Sequence, residues 1–508
     1  MICSAVLLCL IILSAYVFGL TKGHWVPTTL YSVAFLGVGM TIYRGTSPPE
    51  EILYWIDQHL EQGGFMMSLK PSESLSDENR CTGYMLVPGN VRARKVRSLG
   101  VQVVLPKGEG VDGSIFDSIV YVVGDLRRIE NFKSAADFDY AQFMADQSIY
   151  YLLRARQLKS IGILNVSACS WCGFIRSIRI RYYNRIKDRF DGISLGVLSA
   201  VLLGHKDNLD DKIKTVFADT GAMHVLAVSG LHVGIVVFLV FKIMSISSSF
   251  KGFHFFIKWG LLMSVILMYV GITGGAPPVQ RAGLTVGAMM LGEFRPGAKS
   301  RMNVLALVAM MLLLINPRSL FSVSFQMSFL AVIGILSFYR PIYSLFEIKN
   351  SIINSIWQLT VVGMAANLAL FPLIMFYFDQ FTFGFILSGV IAIVGIYFVL
   401  IGGVIWLLLG PVHTCIDYYL GVLIELIIHM KMILLEYLSR WRFMIISDIS
   451  INEIEMLFLY VPVILLGIAL NYGRPNLAMV SIILFAAFAA YKATTAARLA
   501  HHIMNYVI

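Results

Sequence analysis

A polytopic α-helical membrane protein with a small β-barrel domain inserted outside the cytoplasm is the fold class this sequence predicts. Three observations predict it. The chain is 57% hydrophobic and only 14% charged over 508 residues, with mean hydropathy +0.75, whereas a soluble domain carries about 25% charged residues. Uncharged runs such as 1–20 and 385–410 are long enough to cross about 30 Å of hydrocarbon as helices. Between 44 and 189, charges return and Gly and Pro punctuate shorter apolar runs.

Taken in order, residues 1–43 read as two anchoring helices. The first lacks the basic start and small-residue cleavage site of a signal peptide, and a second apolar run (26–43) follows at once. Residues 44–175 form the inserted domain. Its segments 83–87, 101–105 and 118–123 read as short strands, separated by the turns Pro88-Gly-Asn and Lys107-Gly-Glu-Gly-Val-Asp-Gly. Residues 138–147 read as a helix, and 150–154 and 158–164 as closing strands. Several short strands over about 100 residues imply a small barrel. Residues 176–190 are dense in cations with Ile and Tyr between them, so a helix there is a basic amphipathic segment able to lie at a membrane surface. The same cations also suit a collar that gathers anions. Residues 191–410 and 411–508 hold the remaining membrane helices, the last two near 461–469 and 478–491.

Loop charges give the orientation. Lys242, Lys251, Lys258, Arg295, Lys299, Arg301, Arg340 and Lys349 fall on one set of loops, against Arg281 and Arg318 on the other. Cytoplasmic loops are the cation-rich ones, so the barrel domain and the turn at 274–278 lie outside. Lys492 and Arg498 fit this alternation poorly. The net charge of +10 reflects this loop bias or a polyanionic substrate. Cys3, Cys9 and Cys415 lie in or near apolar runs and read as packing residues. Cys169 and Cys172 form a C-x-x-C, either a vicinal disulfide or half a metal site, and a bridge from Cys81 to either stays open.

Polar groups inside apolar helices are costly and usually face a wet path or a protein interior. The uncharged run 220–241 reads as one helix and contains His224, Ser229 and His232. At 100° per residue the two histidines sit about 80° apart and Ser229 about 60° beyond His232, so all three share a broad face unless Gly230 breaks the helix. Arg281 follows the Pro277-Pro278 break, and Asn316, Gln326 and Asn367 interrupt apolar stretches. Pro-interrupted segments mark membrane transport sites, but a single Asn or Gln is also common adhesive between helices, and an Arg near a helix end can snorkel. Ala227-Val-Ser229-Gly further suggests a serine hydrolase. Against that reading, no glycine precedes the serine as in a nucleophile elbow. Its partner would have to be His413 or His429, since the nearer histidines share its helix. In the barrel domain, Arg92, Arg94, Lys95 and Arg97 alternate as on a strand, with Tyr84 and Tyr121 as stacking platforms for nucleic acid or, equally, a solvated edge that blocks strand addition.

The blocks 203–232, Gly274-Gly-Ala-Pro-Pro-Val-Gln-Arg281 and 306–331, in this order and spacing, resemble the ComEC-type DNA uptake channels of bacterial natural transformation, over roughly residues 191–383. The resemblance implies an OB-like barrel domain. It implies a channel passing single-stranded DNA across the bacterial cytoplasmic membrane, with the lipid bilayer around it, no cofactor and no catalysis. His224, Ser229, His232, Arg281, Gln326 and Asn367 then line or shape the path, and Tyr84, Arg92, Arg94, Lys95 and Arg97 capture DNA outside. It implies an extracytoplasmic DNA receptor as partner, and a homo-oligomer is open. Many members end in a metallo-β-lactamase-like domain with an H-x-H-x-D-H run. None of the ten histidines here forms that run, and no Walker-type loop occurs. The expectation is therefore a form without its own nuclease, served by a separate nuclease and a separate cytoplasmic motor. Carriage of another polymer or anion, or scaffolding, is the alternative.

Overall fold

The computed structural model describes residues 62–71, 80–86, 98–104, 118–130, 141, 144–145, 149–163 and 170–507, apart from 207, 227, 247–254, 276, 293–300, 442–443 and 447–450. The anchoring helices of 1–43, the cations Arg92, Arg94, Lys95 and Arg97, and the Cys169–Cys172 pairing lie outside the described residues.

Five strands close into a barrel in the order β1-β2-β3-β5-β4: β1 (Gln62–Pro71), β2 (Arg80–Leu86), β3 (Ser98–Val104), β4 (Ser118–Arg128) and β5 (Ile149–Ile163). β3 and β5 run parallel and every other pairing is antiparallel. Alternate residues fill the interior: Phe65, Met67, Met85, Val101, Val103, Val120, Val122, Tyr151 and Leu153 are buried. That is the period-two pattern of a strand with one dry face. Two expectations are corrected. β1 was not foreseen, because adjacent Met66 and Met67 blur the alternation. The two closing strands are one continuous strand, which absorbs its polar middle through register shifts against β4 at Ile119/Val120 and Val123/Gly124. At the second shift Gly124 is needed, since a β-carbon there would collide with the carbonyl of Arg154. The described residues of the predicted helix, 141 and 144–145, are helical.

After the barrel the chain is helical. α1 (Ser170–Arg189) leads into α2 (Gly192–Leu203), α3 (Asp211–Asp219), the single turn α4 (Met223–Leu226), α5 (Gly230–Ile246), α6 (Phe255–Ile272), α7 (Pro277–Gly292) and α8 (Arg301–Ile315). A 3₁₀ turn (Pro317–Phe321) joins α8 to α9 (Val323–Tyr343) and α10 (Ser351–Phe378). α11 (Phe385–Leu409), α12 (Thr414–Ser439), α13 (Glu453–Tyr472) and α14 (Pro475–Val507) complete the bundle. Two-residue strands, β6 (Phe381–Thr382) and β7 (Ile445–Ile446), pair across the loops that precede α11 and follow α12. Six helices, α9 to α13 and 475–495 of α14, are long and apolar enough to cross a membrane. α2, at 12 residues, rises only about 18 Å. It cannot span, and it is buried along its length from Val197 to Leu203 against α11 and α12.

α1 is built as its sequence periodicity dictates. Ile175 and Ile186 are buried, while Arg181 and Lys187 are exposed. Its inward arginines serve the bundle. Arg185 Nη2 reaches Asp417 Oδ1 of α12 at 2.6 Å and lies 4.8 Å from the Trp406 ring, and Arg179 donates to the Leu203 carbonyl. The collar therefore has fewer free cations than its sequence offers. Cys415 is exposed on the outer face of α12, not packed in the core, which corrects the sequence reading. Lys492, an outlier in the loop-charge pattern, bonds Glu455 at 2.8 Å, and Glu455 completes a capping box with Asn452 at the start of α13.

α9 and α10 cross at Gly334, where a β-carbon would stand 2.5 Å from the Ala365 carbonyl oxygen and 2.7 Å from Ala369 Cβ. Close approach through small residues holds helices together in lipid, where the hydrophobic effect cannot. Gly334→Val should lower the thermal midpoint of the detergent-solubilised protein, the cost being about 1–3 kcal/mol of overpacking. An unchanged midpoint would show that the crossing is looser than described.

Candidate functional site

The run 220–241 is not one helix. Gly221 takes a left-handed conformation (φ 72°), α4 contributes one turn, and residues 228–229 are non-helical before α5 begins at Gly230. The angular argument that placed His224, Ser229 and His232 on one helix face therefore does not hold. The break brings Ser229 and His232 together by another route. The Ser229 carbonyl accepts from His232 N (3.1 Å) and Val233 N (3.4 Å), starting α5, and the His232 ring folds back. His232 Nδ1 receives the Ser229 backbone N–H at 3.1 Å, with Ser229 Oγ at 2.9 Å. Because Nδ1 accepts, Nε2 carries the proton. His232 is fully buried, and its Nε2 has no partner among the described residues. His224 sits across the break with an exposed side chain, its Nδ1 3.2 Å from the Gly221 carbonyl.

Other breaks meet this one. Gly204 (φ 70°) ends α2 with so little room that a β-carbon would stand 2.6 Å from the Thr273 carbonyl and 3.5 Å from Val228. Thr273 lies in the Gly274-Gly275 turn between α6 and α7. The turn at 219–221 docks on the start of α11, where Thr382 Oγ1 donates to the Asp219 carbonyl at 3.1 Å and Ser388 Oγ to that of Thr220. Interrupted helices at membrane depth are tolerated only where protein or water satisfies the freed backbone groups.

Arg281 lies one turn into α7, 93% buried, its Cζ 5.3 Å from the Phe329 ring of α9. A β-carbon at Gly230 would stand 4.0 Å from its Nη2. Its guanidinium has no hydrogen bond or ion pair among the described residues.

Gln326 and Asn367 part from this group. Gln326 is buried and fully engaged: its Nε2 donates to the Leu320 carbonyl at 3.1 Å, and its Oε1 accepts from Tyr377 at 3.0 Å. It binds the 3₁₀ turn and α9 to α10. Asn367 donates to its own helix, at the Gly363 carbonyl. Asn316 is not inside a helix; it follows α8 at the break. His413 is exposed and His429 bonds the Glu425 carbonyl, so the histidine at Ser229 is His232, contrary to the sequence reading. Of the barrel residues, Tyr84 lies on β2 and Tyr121 on β4, 37% exposed.

One site residue was missed. Lys431 of α12 is 97% buried, its aliphatic stem against Gly395 of α11 and its Nζ 5.3 Å from the Phe217 ring of α3, with no partner for Nζ among the described residues. The available signal was a single ammonium in the second half of a 26-residue apolar helix.

Six helices long and apolar enough to span, preceded by shorter helices broken at Gly204, Gly221 and 228–229, define a multi-pass membrane protein. The chain belongs to the Competence protein family, whose sequence model matches residues 201–475 and so takes in every break described above. It is similar to ComE operon protein 3 of Bacillus subtilis, 28% identical over 250 residues, covering 48% of this chain and 30% of that protein. It is also similar to Recombination protein 2 of Haemophilus influenzae, 28% identical over 229 residues, 43% of this chain and 28% of the relative. An uncharacterised protein of Aquifex aeolicus is 31% identical over 138 residues, 27% of this chain and 32% of its own length. The matches thus span about a third or less of these relatives. No solved structure matches the chain. Family and helices together make it an inner-membrane, multi-pass protein.

Gln326→Leu should cost about 1–3 kcal/mol of stability, since it strands the Tyr377 hydroxyl. Gln326→Leu combined with Tyr377→Phe should recover most of the loss in a thermal-denaturation series. No recovery in the double variant would mean that Gln326 does more than join two helices.

Proposed function

We propose that this chain conducts transforming single-stranded DNA across the bacterial cytoplasmic membrane during natural transformation. The observation that carries the reading is Arg281, a buried cation without a counter-charge among the described residues, beside the interrupted start of α5 and inside the region the Competence family shares. Burying an unpaired guanidinium costs several kcal/mol, and a passing polyanion is a ligand that offsets this cost during transit. A path built from few cations and many hydroxyl, amide and backbone groups also suits transport, because rows of full charges would trap a strand. In this reading His224, Ser229, His232 and Arg281 shape the path, and Gln326 and Asn367 support the frame around it.

The barrel is OB-like in this proposal. Its order, with β3 parallel to β5 and closure by β1 on β4, supports that reading. It lies outside the cytoplasm, where Tyr84 and the cations Arg92, Arg94, Lys95 and Arg97 take up DNA delivered by a receptor. The motor, and the nuclease that removes the second strand, are separate proteins. Assembly as a homo-oligomer belongs to the same proposal.

Ser229 Oγ at 2.9 Å from His232 favours a second reading, acyl transfer. Here the serine engages the nitrogen that a triad gives to its orienting carboxylate, and among the described residues no acid is bonded to the other nitrogen. Labelling of Ser229 by a fluorophosphonate, abolished in Ser229→Ala, would establish the hydrolase reading.

Cells whose chromosomal copy is deleted should lose import of labelled DNA into the cytoplasm. Arg281→Ala at normal protein level should reduce import about tenfold or more, the equivalent of at least ~1.4 kcal/mol. Undiminished import by both Arg281→Ala and His232→Ala cells would remove the site assignment, and normal import in the deletion strain would remove the channel reading.

A further inference from the structure

We propose that the first turn of α5 and the Arg281 guanidinium form a cradle for one phosphodiester group, which Gly230 keeps open by having no side chain. The claim that this group belongs to DNA in transit rests on the channel reading; the anion site does not. The donors are placed by geometry. Gly230 is the first residue of the 17-residue helix α5. A β-carbon built on it would lie 4.0 Å from Arg281 Nη2 and 3.5 Å from Ala282 Cβ. In a helix the Cα–Cβ bond tilts toward the N-terminus, the direction in which the unbonded N–H groups of the first turn also face. The guanidinium and the helix end therefore look onto the same gap.

Neither set of donors is spent. The N–H groups of Gly230 and Leu231 meet no acceptor among the described residues. A serine at the position of Ser229 ordinarily caps its helix by accepting from the second or third N–H. Here its Oγ stands 2.9 Å from His232 Nδ1 instead, so that cap is diverted. Arg281 is 93% buried, and its Cζ lies 5.3 Å from the Phe329 ring, a face that offers no conventional acceptor.

Buried donors are normally satisfied, and a helix N-terminus beside a cation calls for an anion. Phosphate fits this pair: its oxygens match the planar arginine fork and accept from backbone N–H groups as well. The glycine points the same way. Gly230 is not in the left-handed region, and its β-carbon would meet nothing closer than 3.5 Å outside its own helix. Backbone strain and tight packing thus do not call for glycine here, whereas close approach of a ligand to the backbone does. One fork and one helix end make a single station and not a row of charges, which lets a strand move on.

The experiment uses the full chain in nanodiscs of zwitterionic lipid, with binding read by ligand-induced thermal stabilisation. Inorganic phosphate and a thymidine oligonucleotide are titrated against the wild type, Gly230→Ala, Arg281→Met and Gly234→Ala. The last is a control on the same helix, since a β-carbon at Gly234 would meet nothing within 4 Å. Both ligands should stabilise the wild type and Gly234→Ala. Gly230→Ala should keep or raise the unliganded midpoint, because alanine favours a helix over glycine. It should nevertheless bind both ligands about tenfold or more weakly, as should Arg281→Met. If Arg281→Met does not fold, Gly230→Ala decides alone. No stabilisation of the wild type, wild-type affinity in Gly230→Ala, or an equal loss in Gly234→Ala overturns the cradle. A response to phosphate, or to phosphatidylglycerol added to the nanodisc, without one to the oligonucleotide assigns the site to free phosphate or a lipid headgroup and overturns the phosphodiester claim. Gly230→Ala cells that import labelled DNA at the wild-type level despite lost binding overturn the transit role and leave the channel reading standing.

Discussion

A guanidinium or ammonium buried in a membrane bundle without an acid beside it is expensive, by several kcal/mol after relaxation. Two partly buried cations among the described residues are neutralised: Arg185 by Asp417 and Lys492 by Glu455. Arg281 and Lys431 depart from that practice: neither has a counter-charge among the described residues, and Arg281 lies beside Gly230 at the first turn of α5. The rest of the site follows from this constraint. The chain stops α2 at Gly204, turns at Gly221 and restarts at Gly230 beside Arg281. It must also supply the helix-spanning contacts at Gly334 and Gln326 that keep the surrounding frame closed.

The frame was largely legible in the sequence, because hydrocarbon thickness sets helix length. The uncharged run 385–410 corresponds to α11, which ends one residue earlier. Strands β3 and β4 were legible as short β-branched runs bounded by turn residues, Val101 to Leu105 and Ile119 to Val123. β1 was not, since the adjacent apolar Met66 and Met67 hide the alternation that buries Phe65 and Met67. The continuity of β5 was hidden by Arg154, Arg156 and Gln157, which face outward where the strand passes the Gly124 shift.

The site was legible in its residues more than in its geometry. Hydropathy has no break across 220–241, so the chain reads as one helix. The interruption lies in conformational facts that apolarity does not encode, the left-handed Gly221 and the non-helical 228–229. Polar type alone did not separate path from adhesive either. Gln326 and Arg281 look alike in sequence as lone polar groups in apolar helices. The distinction is whether a partner exists, Tyr377 and the Leu320 carbonyl for one and none for the other. Lys431 escaped notice because no motif surrounds it, and the ring beside its Nζ, Phe217, lies more than 190 residues away in sequence.

The central claim is that the interrupted start of α5 is wet and meets DNA. A photo-crosslinking residue placed at position 229, with a control at Leu408 on the outer face of α11 (58% exposed), tests it on cells caught importing labelled DNA. The account predicts covalent adducts from 229 and none from 408. Import that proceeds with no adduct at 229, or adducts of equal yield at both positions, would contradict it.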